Sequence, residues 1–406
     1  MEQNYAQRRA VISPIGIQGK QAVLLPRERR ANSRLSTAPS RASKASLTSS
    51  PRDVIKQRKL VLHFDARNTV LVADTVTQIG VKEAFNSYLT GVTWGYEKSN
   101  GDWEWVSDTP SLSSPASNAI TYYKHREREL VRIPSDRGEL RRVTGYFAQE
   151  PLGDRFYPYL EKGLSSLRWT HEEHVKQLVM VDKDGEKYHY LLPSLFQLIQ
   201  HLQHEKRDFS IVIRTYGSDA PNILKAIAAS LEGKHPDFPA LTPMNVDHNV
   251  GSIKRSSSGD IMLQTEFGGH PQTLTDERQI YELLSNSKGV TAIVDDFIYW
   301  QQNDYDHTCS KPHWVDVHDA NTQHIIFDDN LRVTDSDSIV DLRLFHDSIS
   351  HTAASVRDFE HMQRYEDACL VQADLLQSTA DLNYFVNKVK ICEQKYDALI
   401  DVSAGS

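Results

Sequence analysis

The first apolar run of the chain ends in an acid, within Lys59–Val70, which reads KLVLHFDARNTV. Every residue from Leu60 to Phe64 is apolar or histidine, and Asp65 follows directly. Such a run, closed by an acid and a polar turn, predicts a buried strand that presents a carboxylate at a sheet edge. In an open parallel sheet, ligands bind beyond the C-terminal strand ends, so this carboxylate is placed for chemistry. The alternative is an aspartate that only accepts backbone hydrogen bonds.

Three later segments carry further reactive side chains, after short strands or in polar turns. The run in DFSIVIRTYG ends at Thr215, and DYDHTCSKP contains Lys311. The run in QHIIFDDN ends at Asp328 and Asp329. Each has a structural alternative: Thr215 as the N-cap of the next helix, Lys311 as a surface lysine, and the two acids as turn residues. The apolar strand that leads into the acids favours a site.

In this order, LHFDARNT, IVIRTYG, SKP and IIFDDN resemble the motifs of the haloacid dehalogenase-like (HAD) superfamily of phosphohydrolases. The resemblance covers about residues 59–335 and rests on these short motifs. It implies an α/β fold whose core is a three-layer, Rossmann-like parallel sheet. It also implies a Mg²⁺-dependent hydrolase or phosphotransferase that acts through an aspartyl nucleophile on a small phosphorylated molecule.

The resemblance assigns a role to each motif residue. Asp65 would attack phosphorus and form an aspartyl-phosphate. Thr215 would donate its hydroxyl to the phosphoryl oxygens, and Lys311 would neutralise charge there. Mg²⁺ prefers hard oxygen ligands. Asp65, a backbone carbonyl two residues later, and Asp328 or Asp329 would supply them.

The chain departs from the HAD pattern at Arg67. Active members usually carry a second aspartate at this position, two residues after the nucleophile, as general acid and base. A guanidinium stays protonated at neutral pH, and general acid–base catalysis typically contributes about 10²–10⁴ in rate. A second hypothesis is therefore a catalytically weak or inactive HAD-like protein that binds ligands or partners. We expect Arg67 and Asn68 to bind substrate, with Arg67 either holding a phosphate or carboxylate bidentately or pointing to solvent.

Several residues near the motifs have more than one interpretation. We expect His63, inside the first strand, to be packed in the core. His307 and His313 flank the motif lysine and are close enough in sequence to reach the site. Asp295 and Asp296 end the run VTAIV, and either line the same crevice or start the next turn.

The composition divides the chain into a tail, a core and an extension. Residues 1–56 are rich in Arg, Ser, Ala and Pro and predict a disordered basic tail. We expect a HAD-like core over 57–345, with 95–188 a cap-like insertion after the first strand. A helical extension is expected over 346–406. Whether the insertion closes over the site stays open.

Apolar periodicity and turn residues predict the elements around the motifs. Hairpins are expected at Asn100-Gly101 and Asp184-Gly185, and a strand at 290–294. Residues 235–272, with an exposed loop at Lys254–Gly259, are expected to be loop-rich. The expected helices are Val81–Leu89, 193–202, 219–229, 275–286 and an amphipathic helix from Leu382 that docks on the body.

The 406-residue chain has a net charge of −8 that is unevenly distributed. Residues 1–58 carry +9 and the rest −17, so we expect no nucleic-acid partner for the acidic body. No apolar run reaches the roughly 18 residues of a membrane span, so we expect no membrane partner. Three scattered cysteines fit a reducing compartment. We expect a cytoplasmic protein, with a mitochondrial one as the alternative because the start is Arg- and Ser-rich. Protein partners and oligomeric state stay open.

Overall fold

The chain is a mixed α/β protein built on one large, mostly parallel sheet, as the sequence predicts at this coarse level. The predicted tail, 1–56, lies outside the described residues. Among the residues that the structure describes, no helix combines the length and the apolar character needed to cross a membrane. The three cysteines are free. The computed structural model describes residues 58–73, 79–133, 136–172, 175–334 and 338–404.

The described residues form sixteen strands and eleven helices. The strands are β1 Lys59–Asp65, β2 Trp94–Glu97, β3 Trp103–Trp105, β4 Ile120–Thr121, β5 Val179–Val181, β6 Lys187–His189, β7 Phe209–Thr215, β8 Gly251–Arg255, β9 Ile261–Thr265, β10 Gln272–Leu274, β11 Gly289–Val294, β12 Lys311–Val315, β13 Thr322–Asp328, β14 Val340–Leu344, β15 Ala354–Ser355 and β16 Leu370–Gln372. The helices are α1 Val81–Gly91, α2 Tyr122–Leu130, α3 Arg137–Thr144, α4 Tyr157–Leu167, α5 Pro193–His204, α6 Ala220–Ala229, α7 Glu277–Ser285, α8 Phe297–Gln302, α9 Phe359–Gln363, α10 Leu375–Ala380 and α11 Tyr384–Ala404.

The central sheet contains eight strands in the order β10-β9-β8-β11-β7-β1-β13-β16. The strands from β8 to β16 in this order run parallel, and β9 is antiparallel to both of its neighbours. The chain moves from β1 to β7 and β11 on one side, and later returns to place β13 on the other side of β1. The strand order therefore reverses beside β1, which makes the crevice beyond β1 and β13 a topological switch point.

Alternate residues of β1 face two different layers. Leu60, Leu62 and Phe64 belong to the largest hydrophobic cluster, which includes side chains of α1, α5, α6 and α11. Val61 belongs to a cluster on the other face, with side chains of α7 and with Trp314 of β12. Because successive side chains of a strand alternate, Asp65 lies on the same face as Val61. Burial of both faces explains why β1 reads as a continuous apolar run.

A small sheet packs on this second face, beside α7. Its strand order is β12-β14-β15, with β12 parallel to β14. Helices thus cover one face of the central sheet, and the small sheet with α7 covers the other. The small sheet was not predicted from the sequence, yet it carries one of the predicted site residues.

The insertion after β1 packs into the largest hydrophobic cluster. It contains the sheet β3-β2-β4, helices α2 to α4 and the hairpin β5–β6. Phe147 and Phe156 of the insertion belong to the same cluster as Phe64 of β1. Both hairpins form where they were predicted, because Gly101 and Gly185 adopt φ values of 86° and 84°, a backbone region that glycine enters without strain.

Two sequence predictions on the elements miss part of the structure. Residues 235–272, predicted as loop-rich, also contain β8 and β9 and the first residue of β10. The predicted loop is present at 256–259, but Lys254 and Arg255 lie in β8. Strands β8 and β9 carry polar residues on one face, which weakens their apolar signal. The C-terminal helix begins at Tyr384, after a turn in which the Asn383 N–H donates to Asp381 Oδ1 at 2.8 Å. Leu382 therefore lies outside the helix and is 50% exposed.

The C-terminal segment does more than add a helix. β16 pairs with β13 and forms an edge of the central sheet. The predicted docking of the last helix is confirmed, because the ring of Phe385 lies 5.2 Å from that of Phe64. Tyr396 donates its hydroxyl to the Asp316 carbonyl at 3.1 Å.

Candidate active site

Three carboxylates meet beyond the ends of β1 and β13. Phe64 is the register partner of Phe327, so the next residue of each strand, Asp65 and Asp328, lie side by side. The two phenylalanine rings stack at 4.7 Å on the opposite face of the sheet. Oxygens of Asp65, Asp328 and Asp329 all lie within 4.8 Å of one another. This acidic cluster lies at the switch point, the place where open α/β sheets bind ligands.

Lys311 brings a positive charge to the acidic cluster from the small sheet. Its Nζ donates to Asp65 Oδ1 at 2.5 Å and to Asp328 Oδ2 at 2.7 Å. The residue is 0% exposed, so the alternative of a surface lysine is wrong. The sequence placed it in a polar turn, but it begins β12, where it pairs with Val340 of β14.

Burial and neighbouring charges shift the pKa values of Asp65, Asp329 and Lys311. Burial raises the pKa of Asp65 well above its ordinary value, against the opposing effect of Lys311 and with the help of Asp328 and Asp329. Burial and the Asp328 carboxylate raise the pKa of Asp329 to about 7. Burial alone would lower the pKa of Lys311, but Asp328 and Asp65 raise it above its ordinary value. The lysine is therefore charged, and Asp65 and Asp329 hold their protons to a higher pH than exposed carboxyl groups do.

Thr215 ends β7, directly beside β1. The register partner of Asp65 is Arg214, so Thr215 lies one residue further along the neighbouring strand. Its Oγ1 accepts from the Gly217 N–H at 2.9 Å, which leaves the hydroxyl hydrogen available for donation. The residue before α6 is Asp219, so Thr215 is not the N-cap of that helix.

The turn after Asp65 forms hydrogen bonds with Asp329, the third acid of the cluster. Asn68 adopts φ 58°, and its Nδ2 donates to Asp329 Oδ2 at 3.2 Å. The backbone N–H of Asp329 donates to Thr69 Oγ1 at 3.2 Å. Asn68, predicted to bind substrate, thus contacts a carboxylate of the cluster.

Arg67 lies between the turn and the insertion. It is half-buried. Burial and Glu127 raise the pKa of Tyr123 in α2, and Arg137 and Arg67 are cations close enough to oppose that shift. The sequence left open whether Arg67 binds an anion or points to solvent. Its half-buried position near α2 shows that the side chain does not point only to solvent. The insertion therefore lies near the turn that follows Asp65.

A buried ion pair beside the acidic cluster was not assigned from the sequence. Arg214 is 0% exposed and donates to both oxygens of Asp295, at 3.0 and 2.5 Å. It also donates to the carbonyl of Pro312, at 3.2 and 3.1 Å. Pro312 follows Lys311, so Arg214 anchors the strand that carries the lysine. An arginine inside the apolar run FSIVIRT was the available signal, because a buried charge needs a partner.

The two acids after β11 divide between the two roles that the sequence left open. Asp295 lies close enough to raise the pKa of Lys311. Asp296 starts the next helix, because its side chain accepts from the Tyr299 N–H at 3.2 Å.

The ring of Tyr216 lies over the lysine. Its centroid is 5.0 Å from Nζ of Lys311, and the ring stacks on Trp300 at 5.3 Å. Its hydroxyl is buried without a hydrogen-bond partner among the described residues. Sequence reasoning did not single out Tyr216, because only the fold brings it onto Lys311.

The three histidines near the motifs make their described contacts away from the acidic cluster. His63 is buried as predicted, with Nε2 3.1 Å from His324 Nδ1 and its ring 5.1 Å from that of His313. His307 Nε2 lies 3.3 Å from the carbonyl of Val356. The described contacts of His307 and His313 are thus with these groups rather than with the acidic cluster.

A scan of the sequence against protein-family models found no match, and searches of curated proteins and of solved structures found none either. The functional argument therefore rests on the fold and on the geometry of the acidic cluster.

Proposed function

We propose that the protein is a HAD-like, Mg²⁺-dependent hydrolase or phosphotransferase with Asp65 as its nucleophile. The observation that carries this proposal is the convergence of Asp65, Lys311 and Asp328 within hydrogen-bond distance at the switch point. Thr215 ends the adjacent strand. Phosphoryl transfer depends mainly on positioning and on fixed charge around the transferring group, and this arrangement supports both.

The acidic cluster fits Mg²⁺ in donor type and in charge. Asp65, Asp328 and Asp329 would hold the ion through carboxylate oxygens, the hard ligands that Mg²⁺ prefers. Burial, and then the neighbouring carboxylates, raise the pKa values of Asp65 and Asp329, and a bound cation would oppose both effects. When bound, Mg²⁺ would reduce the repulsion between the nucleophilic carboxylate and an anionic phosphoryl group.

The residues present suit a two-step transfer. An Asp65 oxygen bonds to phosphorus while the bond from phosphorus to the leaving oxygen breaks. Water or an acceptor alcohol then takes the phosphoryl group and regenerates the carboxylate. The Thr215 hydroxyl and the Lys311 ammonium bind phosphoryl oxygens in both steps. Arg67 cannot give the leaving oxygen a proton, so we expect the best substrates to have leaving groups that are stable as anions, such as aryl phosphates.

The test compares an aryl phosphate with an alkyl phosphate, each in Mg²⁺ and in EDTA. We expect Mg²⁺-dependent turnover that is faster for the aryl ester, and none for Asp65→Asn. Asp184→Asn, in an exposed hairpin turn, is the matched control and should behave as the wild type. Acid quenching followed by peptide mass spectrometry should find a phosphoryl adduct on Asp65. Full turnover by Asp65→Asn would exclude Asp65 as nucleophile.

Arg67 favours a second candidate function, a catalytically weak or inactive HAD-like protein that binds a phosphorylated ligand. In that case the wild type is silent towards both esters, whereas Arg67→Asp gains Mg²⁺-dependent turnover. Calorimetry should still detect binding of inorganic phosphate by the wild type, and weaker binding by Lys311→Met. Silent proteins without phosphate binding would contradict both functions.

A further inference from the structure

A second group of metal-type ligands lies where the insertion rejoins the core. His189 ends β6, and His235 and Asp237 lie in the segment after α6. Each offers one ligand atom, and the three atoms lie within 4.8 Å of one another. A fourth side chain, His171, lies in the segment after α4, with Nε2 2.8 Å from Asp237 Oδ1. Because an ionised carboxylate only accepts hydrogen bonds, the histidine is the donor.

The distance between His189 and Asp237 is close to that between two ligands of a zinc ion. His189 Nε2 lies 3.7 Å from Asp237 Oδ2, too far for a hydrogen bond. Tetrahedral zinc with bonds of roughly 2.0–2.2 Å separates its ligand atoms by about 3.4 Å, so this pair needs only a small adjustment. His171 holds the other oxygen of Asp237, as hydrogen-bonded groups around metal sites commonly do.

Both imidazoles are buried, and one nitrogen of His189 has no partner among the described residues. His189 is 8% exposed, and its Nδ1 has no hydrogen-bond partner among the described residues. His235 is 1% exposed. Imidazole nitrogens at such positions are common ligands of zinc.

The surroundings combine an apolar wall with an open side. The ring of Trp169 lies 5.0 Å from that of His189 and 5.7 Å from that of His235. The side chains of His171 and Asp237 are 31% and 40% exposed. An ion can therefore enter from solvent, while the aromatic wall keeps water away from the opposite side.

We propose that His189, His235 and Asp237 bind a zinc ion, and that His171 positions the Asp237 carboxylate. Imidazole nitrogens suit zinc and other transition metals, whereas the all-oxygen cluster at Asp65 suits Mg²⁺. The ion would join the segment after α6 to β6, at the base of the insertion. This proposal is independent of the function proposed for Asp65.

The test is a calorimetric titration of the metal-stripped full chain with ZnCl₂, in excess Mg²⁺. We expect one zinc ion per chain in the wild type and in Asp65→Asn. Asp237→Asn is exposed enough to fold and should bind zinc at least 100-fold more weakly. His171→Gln should weaken binding by about 10–100-fold, while the melting temperature of the metal-free protein stays unchanged. His351→Gln removes an exposed histidine that pairs with Asp276, and should bind zinc as the wild type does.

Three results would overturn the proposal. The first is the absence of zinc binding in the wild type. The second is undiminished binding by Asp237→Asn. The third is loss of binding in Asp65→Asn, which would move the zinc ion to the acidic cluster. Zinc should also raise the melting temperature of the wild type but not that of Asp237→Asn, which separates binding at this site from weak surface binding.

Discussion

Replacing Lys311 with methionine should destabilise the metal-free protein strongly. The substitution keeps an unbranched side chain that fills similar space, so it removes the charge with little loss of packing. What remains is a group of carboxylates around an empty position. Asp328 is 0% exposed, and Asp65 only 8%, so water cannot replace the ammonium at Asp328.

The size of the effect follows from this burial. Removing one partner of a buried ion pair costs about 3–5 kcal/mol. The contact with Asp328 counts in full, and the contact with Asp65 counts less because its carboxylate is partly exposed. We expect the free energy of unfolding to fall by about 4 kcal/mol. Mg²⁺ should return part of the loss, because it restores positive charge among the same carboxylates.

Urea unfolding in EDTA and in Mg²⁺ measures both quantities. The double variant Lys311→Met/Asp328→Asn should recover stability relative to Lys311→Met, because it leaves no unpaired buried carboxylate at residue 328. Lys183→Met is the matched control. Lys183 donates to Glu83 at 2.8 Å, but its side chain is 66% exposed, and exposed pairs contribute little.

One outcome would refute the reasoning. If Lys311→Met in EDTA unfolds at the same urea concentration as the wild type, the lysine does not hold the carboxylates together. The charge argument for Mg²⁺ would then fail as well. If the double variant is less stable than Lys311→Met, the lost stability comes from packing rather than from charge.

Two further predictions concern the packing around the sheet. Burial lowers the pKa of His324 from 6.5 to about 3. Between these two pH values, the unfolded chain binds a proton at His324 that the folded chain excludes. The contribution is complete above pH 6.5 and is lost as pH falls, by about 1.4 kcal/mol at pH 5.5. His324→Gln should flatten that slope in urea titrations, and an unchanged slope would contradict the assignment. Gly163→Ala would place its Cβ 2.1 Å from Phe85 and should destabilise the protein by about 1–2 kcal/mol. Gly138→Ala, with open space around it, should stabilise by up to about 1 kcal/mol, and equal effects at both positions would refute close packing of α4 on α1.

The strands that carry the acidic cluster could be predicted because both of their faces are buried. Each reads as a short apolar run that ends in a polar residue, Asp65, Thr215 or Asp328, and the three strands are neighbours in the sheet. Local sequence contains this signal, since a strand buried on both sides needs no alternation. The two hairpins were equally local, because the turn glycines determine them.

The partners of these residues could not be predicted, because they come from distant segments. Nothing near Lys311 in the sequence indicates that it would begin a strand of a second sheet and reach both β1 and β13. The same holds for Arg214 and Asp295, whose carboxylate comes from another strand. Strands β8 and β9 were missed for a different reason, since the polar residues on one face of each resemble a loop sequence.

The pair Arg214–Asp295 explains how a fully buried lysine is held at two carboxylates. A buried ion pair is often no more stabilising than apolar residues of similar volume, so stability alone does not account for it. Its geometry does: the planar guanidinium binds Asp295 with two nitrogens and the Pro312 carbonyl with two. This fixes β12 against β7 at the residue next to Lys311. A lysine at position 214 has no such fork, and β12 would then be free to shift. The Lys311 charge that the proposed chemistry needs at Asp65 is therefore positioned by Arg214, which has no described contact with Asp65 or Asp328.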